Sequence, residues 1–238
     1  MISNTKNEVE KTLKLLEQVT SKDVVTTFLK EKGLSYSGTW KELFEKRVYP
    51  AIEQKKIKLV ELTDLLALSE ETGRQHVFLY QLPDVVLNDL SKAAITNSIK
   101  TTQLEHLISQ PLIIDKPDNQ TISSIRWNKD GSFVIKAISK RTRYEYIGDN
   151  MSETDGILSK RYKIIESRAV CLLKLHTNGL VEVRISSKSN TSMYHEDVEE
   201  FLELINDIIP KKKVQSNPIF LTKCKDKLWN NRGKLSNV

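Results

Sequence analysis

The chain has 238 residues, of which 39% are hydrophobic and 29% charged, and its formal net charge is +6. This hydrophobic share excludes a disordered chain, and the length allows one large or two modest domains with substantial cores. No apolar run reaches transmembrane length and the N-terminus is polar. The sequence therefore predicts an intracellular protein, cytoplasmic or located in the nucleoid or nucleus, without a membrane partner.

Positive charge is concentrated near the C-terminus. Residues 208–238 hold eight basic side chains and one acidic side chain, whereas residues 1–207 hold 29 basic and 30 acidic side chains. The run Lys211, Lys212 and Lys213 opens this segment. A basic segment beside a nearly neutral body is typical of polyanion contact, and a solubilising tail is the alternative. We predict that the segment adds nucleic-acid affinity.

The N-terminal part of the chain is predicted as four helices. Residues 5–19 and 57–72 carry apolar side chains at helical spacing, which predicts the first and the last helix. Between them, Ser21 is placed to cap a second helix, and Gly33 ends it because glycine enters the left-handed conformation easily. A third helix follows, and Pro50 is expected to limit its continuation.

The middle two helices and their link, residues 20–52, contain a recognisable pattern. A helix ends in Gly-Leu, a polar pair and a glycine follow, and lysine, leucine and a basic residue lie along the next helix. The matching residues are Gly33, Leu34, Ser35, Ser37, Gly38, Lys41, Leu43 and Arg47. This pattern resembles the SAP motif, a helix–extension–helix module of DNA-binding proteins. Trp40 stands where that family usually has lysine.

The resemblance implies DNA binding at the start of the second helix of the pair. The unpaired backbone N–H groups and the partial positive charge of a helix start attract phosphate. The residues predicted to bind nucleic acid in this module are Lys22, Ser37, Gly38, Thr39, Lys41, Lys46 and Arg47. An ordinary helix pair with solvated lysines is the alternative, because acidic residues interleave with the basic ones.

The following segment, residues 76–116, is predicted to connect this helical domain, residues 1–75, with a β domain. It begins with a β-rich run at residues 75–80 and continues with helices over 84–96 and 101–109. Proline and polar residues at 111–121 then lead into the β domain.

The β domain is predicted over residues 117–209. Asp-Gly in the turn 128–131 and Asn-Gly in the turn 177–179 each indicate a hairpin. The expected strands are Ile122–Trp127, Ser132–Ile138, Thr142–Ile147, Tyr162–Glu166, Ala169–His176 and Leu180–Ser187. An amphipathic helix over 195–209 is expected to cover the sheet. The predicted fold class is therefore α+β, an N-terminal helical bundle followed by an antiparallel sheet covered by a helix, with residues 210–238 as a basic C-terminal segment.

Basic and aromatic residues interleave on the predicted sheet. They include Arg126, Trp127, Lys136, Lys140, Arg141, Arg143, Tyr144, Tyr146, Arg161, Tyr162 and Lys163. Such a face can stack bases or bind phosphates. An ordinary solvated face with cross-strand pairs is the alternative, and we favour it because the aromatic motif of RNA-binding sheet domains is missing.

The sequence contains no recognisable enzyme motif. It has no phosphate-binding loop, no GxGxxG, no HExxH and no CxxC pair, so no catalytic residue, cofactor or metal ligand set is predicted. The favoured function is that of a DNA-binding targeting or accessory protein within a larger assembly, with DNA or RNA and another protein as partners. A protein-interaction adaptor with a binding surface on its helical bundle is the first alternative. A nuclease-type enzyme with a dispersed site is the second.

Overall fold

A computed structural model of the protein describes residues 2–151, 158–187 and 194–220. It contains helices followed by a five-stranded antiparallel sheet, which confirms the predicted α+β class. The chain forms two compact units. The first contains the described residues up to Gln75, together with Leu112–Asn119 and the described part of Ile138–Val170; the second contains His76–Pro111, Gln120–Ala137 and the described residues from Cys171 onward.

The first unit is built largely from the N-terminal helices. Their bounds are α1 Ile2–Val19, α2 Lys22–Glu31, α3 Trp40–Leu43, a π-helical turn Phe44–Val48, α4 Tyr49–Glu53 and α5 Leu59–Thr72. Their apolar faces meet in one core, as the 3.6-residue spacing predicts. Leu16, Leu29, Leu43 and Val48 in this core are completely buried.

Two predictions about these helices are wrong. Ser21 precedes α2 but its side chain makes no capping hydrogen bond. Pro50 does not end the third helix, because a π-helical turn precedes it and α4 continues to Glu53. Proline has no N–H to donate to the carbonyl four residues back, which belongs to Lys46. Arg47 Nη1 donates to that carbonyl instead, at 3.4 Å.

The second unit contains the connecting helices. Their bounds are α6 Asp84–Asp89, α7 Lys92–Thr101 and α8 His106–Ser109. The helix predicted over 84–96 is thus two helices, because the Ser91 hydroxyl accepts a hydrogen bond from Ala94 N at 3.4 Å and begins a new helix there. Gln103, with a φ of 60°, delays the next helix beyond the predicted residue 101.

The sheet has the strand order β1-β5-β4-β3-β2. Its strands are β1 Gln75–Gln81, β2 Thr121–Trp127, β3 Phe133–Met151, β4 Leu158–Leu175 and β5 Leu180–Ser186. Both predicted hairpin turns are confirmed: Asn128 N donates to Ser132 O at 2.8 Å, and His176 N donates to Leu180 O at 2.8 Å. The β-rich run at 75–80 is the edge strand β1 of this sheet.

One face of the sheet in the second unit lies under helix α9, Tyr194–Leu204. Val198, Phe201 and Leu202 on this helix share a core with Val183 and Ile185 of β5. The predicted covering helix is therefore confirmed, although it ends before the predicted residue 209. A short helix α10, Lys211–Gln215, follows Pro210.

Strands β3 and β4 are much longer than predicted. The four strands expected between residues 132 and 176 are two continuous strands of 19 and 18 residues. No proline lies in either strand, so the backbone ladder is not interrupted. This length produces the surface described next.

Candidate nucleic-acid interface

The outer halves of β3 and β4, residues 140–149 and 159–168, form a two-stranded ribbon in the first unit. β5 pairs with residues 171–175 of β4, so the ribbon lies outside that pairing. Its side chains are exposed on both faces from residue 142 to 147 and from residue 159 to 164. A sheet normally buries at least one face, so this double exposure distinguishes the ribbon from the rest of the sheet.

The two faces of the ribbon carry different chemistry. The rings of Tyr146 and Tyr162 meet with centroids 5.8 Å apart, which places these two residues on the same face. Because side chains alternate along a strand, residues of even number from 140 to 146 and from 160 to 166 share this face, and residues of odd number within these ranges share the other. The ion pair between Lys140 and Glu166, at 3.6 Å, agrees with this assignment.

The even face, here called the tyrosine face, is aromatic and apolar. Tyr144 is 70% exposed, Tyr146 and Tyr162 are each 52% exposed, and Ile164 is 60% exposed. A hydrogen bond to Asp149 raises the pKa of Tyr146, so the phenol stays neutral at physiological pH. Large apolar side chains clustered in solvent commonly mark an interaction surface.

The odd face, here called the arginine face, is cationic. Arg143, Arg161 and Lys163 are exposed on it, and in the described part of the chain none of the three makes an ion pair. Over its whole length the ribbon holds seven basic and three acidic residues, a net charge of +4. The exposed Arg143, Arg161 and Lys163 are therefore accessible to a polyanion.

The base of the ribbon is fixed by a buried ion pair. Arg168 pairs with Glu70 of α5, and their side chains are 4% and 1% exposed. Arg168 Nε also donates to the Ile114 carbonyl at 2.9 Å. Burial lowers the pKa of Arg168 to about 10, so the guanidinium remains charged at neutral pH. Lys140 adds a second anchor through its ion pair with Asp118.

The start of helix α3 has a capping box. The Thr39 hydroxyl accepts from Glu42 N at 3.3 Å, and Glu42 Oε2 accepts from Thr39 N at 3.0 Å. The Thr39 N–H, with Lys46 as the second contributor, lowers the pKa of Glu42 to about 2. A carboxylate therefore already occupies part of the helix start that the SAP-like pattern assigns to phosphate.

The predicted residues around this helix start lie close together but differ in availability. Lys41 is 78% exposed and its Nζ lies 4.0 Å from Glu45 Oε1. Lys46 pairs with Glu42 at 3.0 Å, and Lys22 Nζ donates to Gly38 O at 3.3 Å. Ser37 and Thr39 are exposed, Gly38 has a φ of 137°, and Arg47 is half-buried. Trp40 is partly buried, with its ring 5.4 Å from that of Phe44.

The predicted lysines of the C-terminal segment lie in helix α10 of the second unit. Lys211 Nζ pairs with Glu199 at 2.7 Å and with Glu203 at 3.3 Å. Lys213 Nζ pairs with Asp89 at 2.9 Å. Lys212 is exposed. Two of the three lysines therefore have carboxylate partners, and the remainder of the segment, from residue 221, lies outside the described residues.

A further surface of the first unit is a groove of about 770 Å³ on the helical bundle. Val9, Tyr49 and Ile52 give it an apolar floor, and Lys6, Glu45, Glu53 and Lys55 form its rim. The rim contains both charge signs, so it does not favour a polyanion.

Within the described ranges, no three His, Cys, Asp or Glu side chains come together in a group that could hold a metal ion. None of the helices there combines the length and the apolar character that crossing a bilayer requires.

The chain was also compared with known proteins. No family model, curated protein or solved structure matches it. The function is therefore argued from the geometry.

The sequence indicates the basic and aromatic residues of the ribbon but not the length of its strands. Whether its face is an ordinary solvated one or a binding one stays a prediction. The signal that points to a ribbon is length, because residues 133–151 contain no proline and greatly exceed the strands β2 and β5. Because β3 and β4 are much longer than β2 and β5, their outer halves form an extension of only two strands.

Proposed function

We propose that the protein binds DNA as an accessory or targeting component of a larger assembly, with the ribbon as its main contact surface. The observation that carries this proposal is the arginine face, on which Arg143, Arg161 and Lys163 are exposed and make no ion pair with any described residue. Two-stranded β-ribbons are among the elements with which proteins contact DNA. Phosphate contacts by such cations supply most of the sequence-independent affinity.

The other two basic regions contribute less in this proposal. At the helix start, Lys41 is the most accessible cation, while Glu42 fills the position of a phosphate and Arg47 serves the helix backbone. In α10, only Lys212 is without an ion pair among the described residues. In this proposal the SAP-like helix pair, which belongs to the same unit as the ribbon, adds a further DNA contact. Helix α10 contributes least to the DNA affinity.

A pair of triple variants tests the proposal. One variant is Arg143→Gln with Arg161→Gln and Lys163→Gln; its matched control is Lys211→Gln with Lys212→Gln and Lys213→Gln. Both remove three positive charges. Affinity for one labelled DNA is measured by fluorescence anisotropy across a salt series. Each lost phosphate contact reduces the salt slope by about 0.7 to 0.9, so the ribbon variant should lose about two to three units.

The control should lose one unit or less, because Lys212 alone of its three lysines has no carboxylate partner among the described residues. Circular dichroism melting verifies that both variants remain folded. An equal loss in the two variants, or an unchanged slope in the ribbon variant, would contradict the assignment of the ribbon. If the wild-type protein binds no nucleic acid at low salt, the proposed DNA binding is wrong.

A protein-interaction adaptor is the second candidate, and the groove on the helical bundle favours it. Val9, Tyr49 and Ile52 line an apolar floor there, with a rim of mixed charge. Grooves of this kind accept the apolar side of an amphipathic helix. The adaptor function gains support if the wild-type protein binds no nucleic acid in the salt series.

A further inference from the structure

We propose that the tyrosine face binds unpaired bases, so that the ligand of the ribbon is a single strand of nucleic acid rather than an intact duplex. This inference rests on the proposed nucleic-acid binding and names the ligand class for the same ribbon. It starts from the exposure of Tyr144, Tyr146 and Tyr162, each more than half accessible on one face.

An intact duplex leaves such rings without a partner. In duplex DNA the faces of the bases are covered by their neighbours, and only base edges and phosphates are accessible in the grooves. The arginine face can bind phosphates of either form, but an aromatic ring gains stacking energy only from a base whose face is open. Three clustered rings therefore favour a strand with unpaired bases.

The spacing of the rings fits stacked bases. Tyr144 and Tyr146 are two residues apart on one strand, which separates them by about 6.8 Å. This is about twice the 3.4 Å interval between successive bases on a strand, so one base can lie between the two rings. Tyr162 stands beside Tyr146 across the ribbon, with centroids 5.8 Å apart and an interplanar angle of 65°, and widens the platform.

Charge on the ribbon complements a strand placed there. Lys160 is exposed and belongs by its even number to the tyrosine face. Arg143 and Arg161 are sequence neighbours of Tyr144 and Tyr162, and their long side chains allow the guanidinium groups to approach the ribbon edge. A strand whose bases stack on the rings thus has Lys160 beside it for its phosphates, and rings combined with cations are typical of single-strand binding surfaces.

The test compares two triple variants that differ only in the ring. Tyr144→Ile, Tyr146→Ile and Tyr162→Ile remove the aromatic rings and keep strand-favouring side chains; the matched control changes the same three residues to Phe and keeps the rings. The probes are a labelled single-stranded DNA, the RNA of the same sequence, and the duplex of the DNA, all at one salt concentration.

We expect the wild-type protein to bind a single strand more tightly than the duplex. Each lost stacking contact should weaken single-strand binding by about fivefold to 150-fold in the isoleucine variant, while its duplex affinity stays the same. The phenylalanine variant should bind as the wild type does. Of the single-stranded DNA and RNA probes, the one whose affinity falls in the isoleucine variant relative to wild type is identified as the ligand.

Equal single-strand affinity of the isoleucine and wild-type proteins, or tighter binding of the duplex, would overturn this inference while leaving the proposed DNA binding intact. Failure of the proposed function is distinguishable, because no probe would then bind. Photo-crosslinking of the unmodified protein to a 5-bromouracil-containing single strand provides a measurement that needs no variant. Crosslinks at the ribbon tyrosines support the inference, and crosslinks confined to other parts of the chain overturn it.

Discussion

The ribbon and helix α10 are both rich in basic residues, yet their basic side chains differ in how many are paired with carboxylates. In α10, Lys211 and Lys213 lie beside carboxylates contributed by α9 and α6. On the ribbon, Arg143 and Arg161 have no described carboxylate within ion-pair distance. The net charge of the α10 segment therefore overstates the number of lysines there that are free of ion pairs with described residues.

The physical reason lies in the secondary structure that carries the charge. A helix packed on another helix places its basic residues within reach of acidic residues from a different part of the chain. At its base the ribbon contacts other segments, and there Arg168 and Lys140 pair with Glu70 and Asp118. Farther along the ribbon, Arg143 and Arg161 are exposed and have no such neighbour among the described residues. Exposed ion pairs contribute little to stability, but they do occupy the cation.

The largest expected effect concerns the anchor of the ribbon. Glu70→Gln leaves the buried Arg168 guanidinium without its counter-charge, and removing one member of a buried pair typically lowers the free energy of unfolding by about 3 to 5 kcal/mol. Urea denaturation measures the change. The matched control is Glu10→Gln, which breaks an exposed pair with Lys14 in the same unit and should leave stability unchanged. Equal stability of the two variants would show that the buried pair does not anchor the ribbon.

The helix start at Thr39 belongs with α10 in this comparison, because Lys46 there is held by Glu42. The folded state lowers the pKa of Glu42 from 4.5 to about 2, so its contribution to stability is complete above pH 4.5 and is lost as the pH falls to about 2. We expect Glu42→Gln to lower the melting temperature at pH 7, and the difference from wild type to shrink between pH 4.5 and pH 2. If the difference in melting temperature between Glu42→Gln and wild type stayed constant from pH 4.5 to pH 2, the ionised Glu42 carboxylate would not be the source of the stabilisation.

The smallest expected effect concerns the ion pair between α10 and α6. Asp89→Asn removes the partner of Lys213, and the pair is largely solvated, so the free energy of unfolding should fall by less than about 1 kcal/mol. The same change frees the lysine. DNA affinity at low salt should therefore rise slightly, which anisotropy can detect. A fall in affinity would show that the carboxylate does not compete with DNA for this lysine.

Much of the fold could be predicted from the sequence because its signals are local. The apolar spacing of residues 5–19 and 57–72 gave helices close to α1 and α5, and the Asp-Gly and Asn-Gly turns located two hairpins. The predicted helix end at Pro50 was wrong because a local sequence signal there competes with the surrounding structure. Pro50 is a helix breaker by itself, but a π-helical turn and Arg47 together accommodate it.

For the candidate interface, the sequence by itself determined which residue types were present: basic and aromatic side chains interleaved over residues 140–168, and a lysine run at 211–213. Only the tertiary structure decided which of them are accessible. Exposure on both faces of the ribbon follows from strands that extend beyond their neighbours, and the pairing of Lys213 follows from contact with Asp89, 124 residues away in sequence. Alternation along a strand is fixed by backbone geometry, whereas the partners of a charge depend on which distant segments fold against it.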